Sequence, residues 1–101
     1  MQYNKLDESA KGVYIISATP FKDSGALDIE STKKLMEFYI EKGVDGITVL
    51  GVMGEAPKLT AEESKLFLDA ALKQINKRVP VIVGVSNPGI DNLCELAEYS
   101  M

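Results

Sequence analysis

The chain lacks histidine and tryptophan altogether and has one cysteine in 101 residues. Without histidine, and with a single thiol at Cys94, it offers almost no ligands for zinc or copper, so we expect no metal and no other cofactor. A single cysteine cannot close an internal disulfide. The apolar neighbours of Cys94 at helical spacing predict a buried, inert thiol.

Long hydrophobic runs and basic clusters are also missing. No run reaches the roughly 18 apolar residues of a membrane span, and residues 1–11 lack the apolar core of a signal peptide. We therefore expect a cytoplasmic protein with no membrane partner. The net charge of -4, with lysines scattered along the chain, argues against nucleic acid as a partner. The length allows one domain at most.

Three short β-branched runs, at residues 13–18, 46–51 and 79–85, begin at intervals of about 33 residues. Each is continuously apolar rather than alternating, which is typical of strands buried on both faces, so they predict a parallel sheet. Right-handed crossovers place helices on one face of a closing barrel or on both faces of an open sheet, and spacing alone does not choose between them. The third strand is left with an unpaired edge unless another chain or a missing portion covers it.

Helix signals lie between and after these runs. Asp28 is a predicted N-cap, and Gly43 a predicted left-handed C-cap of the same helix. Thr60 and Glu63 have the spacing of a capping box. The predicted helices lie near 29–42, 61–76 and 91–101. In the second predicted helix, we expect four apolar residues to pack on the sheet: Leu66, Phe67, Ala70 and Ile75.

The segment after the second strand reads Gly51-Val52-Met53-Gly54-Glu55. Glycines permit positive φ or a close approach of the backbone, and α/β folds bind ligands beyond the carboxyl ends of their strands. The segment therefore predicts a site where backbone amides hold a small anion. The alternative is that Gly51 and Gly54 only allow a tight exit from a buried strand.

Several segments follow one another along the chain: Ala18-Thr19-Pro20-Phe21, Gly25-Ala26-Leu27-Asp28, Gly43-Val44-Asp45-Gly46-Ile47, the Gly51 to Glu55 run, Leu59-Thr60-Ala61-Glu62-Glu63 and Arg78-Val79-Pro80-Val81-Ile82-Val83-Gly84. Together they resemble the amino-terminal third of the dihydrodipicolinate synthase and N-acetylneuraminate lyase family. The resemblance covers about residues 12–101, in order and with little insertion.

The resemblance implies an α/β fold in which residues 1–101 form the first three βα units of a (β/α)8 barrel, usually a homotetramer. Such barrels have about 250 residues. It also implies a lyase or synthase that joins a lysine to pyruvate or another 2-keto acid as a Schiff base. In this family that lysine and its partner tyrosine lie on later strands, so no catalytic residue is expected before Met101. The 101-residue chain alone is expected to be inactive.

The family places two residues that commonly carry hydroxyls between the glycines, one for proton relay and one for the substrate carboxylate. Here those positions are Val52 and Met53, which have no side-chain donor. Either the chemistry differs from that of well-known members, or these side chains only line the pocket beside an intact amide site. The candidate substrate-binding residues are Gly51, Val52, Met53 and Gly54, with Thr19 and Ser86 as weaker candidates.

We expect structural roles for the other polar residues near the loop. Glu55 is expected to be structural, because a carboxylate beside a substrate carboxylate would repel it. Lys58 and Lys65 are expected to be solvated helix-surface charges. A side-chain hydroxyl at Thr19 is expected to fix its loop by a local backbone hydrogen bond rather than to touch substrate.

Two other functions stay open from the sequence. The chain is alternatively a partial-barrel module without catalysis, which oligomerises or binds a partner through its open sheet edge. A small flavodoxin-like ligand-binding domain has the same order of elements, but it usually needs about five strands. Residues 21–25 also make an unconvincing phosphate loop after the first strand.

Overall fold

The computed structural model describes residues 6–101. Residues 1–5, where the predicted domain and its polar amino-terminal segment begin, lie outside the described residues. The strands are β1 (Tyr14–Ile16), β2 (Gly46–Val49) and β3 (Val81–Val83). The helices are α1 (Ile29–Glu41), α2 (Ala61–Ile75) and α3 (Ile90–Ser100), and a 3-10 turn spans Ala56–Lys58.

The strands form one parallel sheet in the order β1-β2-β3, as the sequence predicts. The hydrophobic core lies between this sheet and the helices. Ile47 and Val49 of β2 are fully buried in one cluster with Met36 of α1 and Phe67 of α2. Burying side chains of this size contributes about 1.5–3 kcal/mol each. Partly buried side chains of the outer strands join the cluster: Ile15, Val81 and Val83.

The other face of the sheet is uncovered within residues 6–101. Ile16, Thr48 and Ile82 form one row across it, and Ile16 and Ile82 are 51% and 39% exposed. On the same face a Cβ on Gly46 would overlap the ring of Tyr14, so the glycine makes room for that ring. Because the helices lie on one face, the arrangement is that of a barrel segment rather than an open sheet wound on both sides. The predicted fold class is confirmed.

The helix ends follow the local signals in the sequence. The Asp28 carboxylate accepts the backbone N–H of Ser31 at 2.9 Å, and Gly43 after α1 has a φ of +83°. At the start of α2 the Thr60 hydroxyl accepts the N–H of Glu63 at 3.0 Å, and the Glu63 carboxylate accepts the N–H of Thr60 at 2.9 Å. The predicted caps and capping box are thus confirmed. Such caps typically contribute about 1 kcal/mol.

One packing prediction for α2 is wrong. Leu66 is exposed rather than packed on the sheet. Successive helical residues are about 100° apart, so Leu66 lies beside the buried stripe rather than within it. The residues of α2 that are buried are Ser64, Phe67, Leu68, Ala71 and Ile75.

The prediction of a buried thiol is also wrong, because Cys94 is exposed. α3 touches the core cluster through Leu96 and has no buried residue. Cys94 lies on a different side of the helix, one turn after Ile90, which is exposed as well. The prediction rested on helical spacing alone, and nothing among the described residues covers that side.

A carboxylate and a guanidinium join α1 to the end of α2. Arg78 donates to both oxygens of Glu37, at 2.8 and 3.0 Å, and Gln74 donates to the same carboxylate at 2.8 Å. These hydrogen bonds, chiefly those from Arg78, lower the pKa of Glu37 from 4.5 to about 2. A carboxyl group whose pKa is lowered by folding stabilises the protein above its unfolded pKa, and this contribution disappears as it is protonated.

The substitution Glu37→Gln tests this contribution. At neutral pH it is expected to lower the thermal unfolding midpoint, and the difference from wild type is expected to shrink as pH falls from 4.5 to about 2. Glu41→Gln, an exposed change on the same helix, serves as the control. The unfolding midpoints of wild type and variant are measured at a series of pH values. A difference between these midpoints that stays constant through this range would contradict a stabilising role for the ionised Glu37 carboxylate.

Candidate functional site

The chain leaves β2 through a strained turn. Leu50 has a φ of +58° although it is not glycine, and its side chain is buried in the core cluster. Glu55 has a φ of +54° at the start of the 3-10 turn. Two residues in the left-handed region therefore bracket residues 51–54, which we call the glycine loop. Such conformations cost about 1–3 kcal/mol and are concentrated at functional sites.

The glycines of this loop do not supply the positive φ that the sequence suggested. Gly54 instead permits a close approach, because a Cβ there would lie 3.2 Å from both the Leu50 nitrogen and Thr19 Oγ1. At Gly51 the nearest neighbour of an added Cβ is a methyl carbon of Ile16 at 4.0 Å, an ordinary contact. Of the two glycines, only Gly54 lies where an added Cβ would be crowded by its neighbours.

The backbone donors of the glycine loop have no partner within residues 6–101. Two of its carbonyls accept hydrogen bonds, that of Val52 from the N–H of Glu55 at 3.0 Å and that of Gly51 from the N–H of Ala56 at 3.5 Å. The N–H groups of residues 51–54 donate to no acceptor in the part of the chain that the structure describes. Successive unpaired N–H groups can hold an anion without help from side chains.

The side chains at the tip of the loop are apolar and open to solvent. Val52 is 93% exposed and Met53 is 61% exposed. Neither can donate a hydrogen bond. Ligand selection at the tip therefore depends on the backbone.

A cavity of about 410 Å³ lies beside the loop. Of the predicted site residues it brings together Gly51, Val52 and Ser86, whereas Met53, Gly54 and Thr19 are not part of its lining. The sequence did not point to the other residues that line it, which are Leu50, Ala56, Pro57 and Gly84, with Glu55 and Lys58.

Gly84 shows how β3 reaches the loop. A Cβ there would overlap the Leu50 carbonyl, and the Gly84 N–H donates to the Val49 carbonyl at 2.9 Å. Only glycine lets the end of β3 lie directly against the strained turn. A glycine near the end of the third predicted strand, at residues 79–85, was the available sequence signal for this contact.

The lysines near the loop are held in ion pairs. Lys58 lies 2.7 Å from the Glu55 carboxylate, and this hydrogen bond raises the pKa of Lys58. Lys65 lies 2.6 Å from Glu95. A protonated, paired amine is a poor nucleophile, so neither lysine offers the free amine that a Schiff base requires.

Within residues 6–101, no group of three His, Cys, Asp or Glu side chains is placed to hold a metal ion. In the same range no helix combines the length and the apolar composition needed to cross a bilayer.

Comparison with known proteins agrees with the family resemblance seen in the sequence. A sequence model of the dihydrodipicolinate synthetase family matches residues 9–101. The 4-hydroxy-tetrahydrodipicolinate synthase of Sulfurihydrogenibium sp. (strain YO3AOP1) is 48% identical over 89 residues, which are 88% of this chain and 30% of that protein. The chain thus spans about a third of the length of the curated relatives that it matches.

Solved structures agree. The dihydrodipicolinate synthase of Rhodopseudomonas palustris matches with a TM-score of 0.89 and 44% identity, over 96% of this chain and 32% of its own. The N-acetylneuraminate lyase of Mycoplasma synoviae matches with a TM-score of 0.87 and 31% identity, over 89% of this chain and 31% of its own. The chloride-inhibited dihydrodipicolinate synthase of Acinetobacter baumannii, complexed with pyruvate, matches with a TM-score of 0.82 and 31% identity, over 88% of this chain and 31% of its own.

The different surroundings of the two glycines give a testable contrast. Gly54→Ala is expected to destabilise the protein by about 1–3 kcal/mol, because the added carbon crowds backbone and a buried hydroxyl. Gly51→Ala is the matched control, expected to change stability by no more than about 1 kcal/mol in either direction. Denaturant unfolding of both variants measures the difference. Equal effects would show that Gly54 is not required by close packing.

Proposed function

Because the chain belongs to the dihydrodipicolinate synthetase family, we propose that it forms the amino-terminal part of a class I aldolase-type lyase or synthase acting on pyruvate or another 2-keto acid. The observation that carries the proposal is the glycine loop, whose unpaired N–H groups lie beyond the carboxyl end of β2. Ligands of parallel α/β barrels bind at this end of the strands. The pyruvate complex of the Acinetobacter baumannii enzyme supports a keto acid as the ligand.

In the proposed complex the loop N–H groups hold the carboxylate of the keto acid. Hydrogen bonds to a charged acceptor are shorter and stronger than neutral ones. The hydroxyl that the family commonly places at position 53 is absent. Its loss weakens binding by about 1.5–3 kcal/mol, or one to two powers of ten.

The covalent step needs an amine that is deprotonated when it attacks. The nitrogen bonds to the keto carbon, the carbon–oxygen bond breaks, and the oxygen leaves as water to give an imine. The protonated imine then accepts electrons from a neighbouring carbon–carbon or carbon–hydrogen bond. We place the lysine for this step, and the tyrosine that relays protons, beyond residue 101. With Val52 at the relay position, protons pass through water or another group.

A homotetramer in the cytoplasm is proposed from the family resemblance alone. A second candidate function rests on the outer strands β1 and β3, each of which pairs only with β2 within residues 6–101. In that case the chain is a module without catalysis that oligomerises or binds a partner through its open sheet edge.

Borohydride trapping distinguishes the two functions. The full-length protein, incubated with pyruvate and then reduced, is expected to gain the mass of one pyruvic acid less its keto oxygen on a single lysine. Peptide mapping is expected to place that lysine outside residues 1–101. The control omits the keto acid. Failure to trap pyruvate or any other 2-keto acid would contradict the enzyme and favour the module.

The hydroxyl lost at position 53 gives a second test. Met53→Thr is expected to lower the pyruvate concentration for half-maximal trapping by about tenfold, because it adds a donor beside the carboxylate. Met53→Val is the matched control, since valine has the shape of threonine without the hydroxyl. Equal effects of the two variants would show that position 53 does not face the carboxylate.

A further inference from the structure

Thr19 carries a buried hydroxyl that makes no hydrogen bond. It is 4% exposed, and its Oγ1 has no hydrogen-bond partner within residues 6–101. Two other buried hydroxyls are satisfied: Ser17 donates to the Ala18 carbonyl at 2.7 Å, and Thr32 donates to the Asp28 carbonyl at 2.8 Å. An unpaired buried hydroxyl opposes folding, so its retention needs an explanation.

The position of this hydroxyl suggests the explanation. Thr19 follows β1, and its Oγ1 lies 3.2 Å from the point that a Cβ on Gly54 would occupy. The Leu50 nitrogen lies 3.2 Å from the same point. The hydroxyl therefore adjoins the backbone of the glycine loop where Gly54 has no side chain. The local backbone hydrogen bond that the sequence suggested for Thr19 is absent from the described residues, so that expectation is wrong.

The hydroxyl and the loop are chemically complementary. A threonine hydroxyl both donates and accepts, and the adjoining loop has unpaired N–H groups. We propose that Thr19 is a positioning residue whose hydroxyl accepts a hydrogen bond from one loop N–H when a 2-keto acid carboxylate is bound, which fixes the remaining loop N–H groups toward the anion. The inference rests on the proposed function. Because the pairing forms only in the bound state, it strengthens ligand binding and leaves the free protein no more stable.

The test uses the full-length protein with pyruvate as the probe. Thr19→Val removes the hydroxyl and keeps the shape. Its ligand-free unfolding midpoint is expected to equal or exceed that of wild type, because an unpaired group has been removed. The pyruvate concentration for half-maximal borohydride trapping is expected to rise about two- to tenfold, the effect of one neutral hydrogen bond. Thr19→Ser is expected to restore the wild-type value.

The possible outcomes distinguish a failure of the proposed role of Thr19 from a failure of the proposed function. A lower midpoint with unchanged pyruvate dependence would show a purely structural threonine and overturn the inference alone. Wild-type protein that traps no keto acid would overturn the proposed function and the inference with it. If valine prevents folding, Thr19→Ser and Thr19→Ala are compared, and equal pyruvate dependence in that pair would overturn the inference.

Discussion

The left-handed turn at Leu50 is the constraint on which the geometry of the glycine loop depends. The conformation itself costs about 1–3 kcal/mol. Burial of the leucine side chain in the core contributes about 1.5–3 kcal/mol, so the core can hold the strain. Gly84 leaves room for the Leu50 carbonyl, which joins the end of β3 to the same turn. The loop is thus fixed by the core beneath it as well as by the hydrogen bonds that its own carbonyls accept.

A loop held in this way can leave its donors unpaired. The carbonyls of Gly51 and Val52 accept hydrogen bonds within the turn, while the N–H groups of residues 51–54 do not donate within the described chain. At the exposed tip of the loop, water can satisfy these donors in the free protein, so little is lost when the chain leaves them unpaired. The buried leucine holds the start of the turn, and Glu55 at its end is paired with Lys58.

The features that the sequence predicted are those set by local physics. The apolar runs of the strands, the Asp28 cap and the Thr60 capping box are each encoded by neighbouring residues. Helical spacing predicts which residues share a face but not what covers it, which is why the prediction for Cys94 failed. The φ of Leu50 is set by contacts with distant strands, and no local residue type signals it. The sequence therefore located the candidate loop and could not give its geometry or the burial of Thr19.

Under the proposed function, the apolar residues at the loop tip change what the site can discriminate. Backbone N–H groups recognise the charge and shape of a carboxylate, which all 2-keto acids share. With Val52 and Met53 contributing no donors, they do not select the rest of the substrate by hydrogen bonding. That selection passes to the cavity beside the loop, whose lining combines the apolar side chains of Ala56 and Pro57 with the polar side chains of Glu55, Lys58 and Ser86. The apolar part of the wall discriminates by size, so any selection of a substrate hydroxyl by side-chain hydrogen bonds rests on Glu55, Lys58 and Ser86.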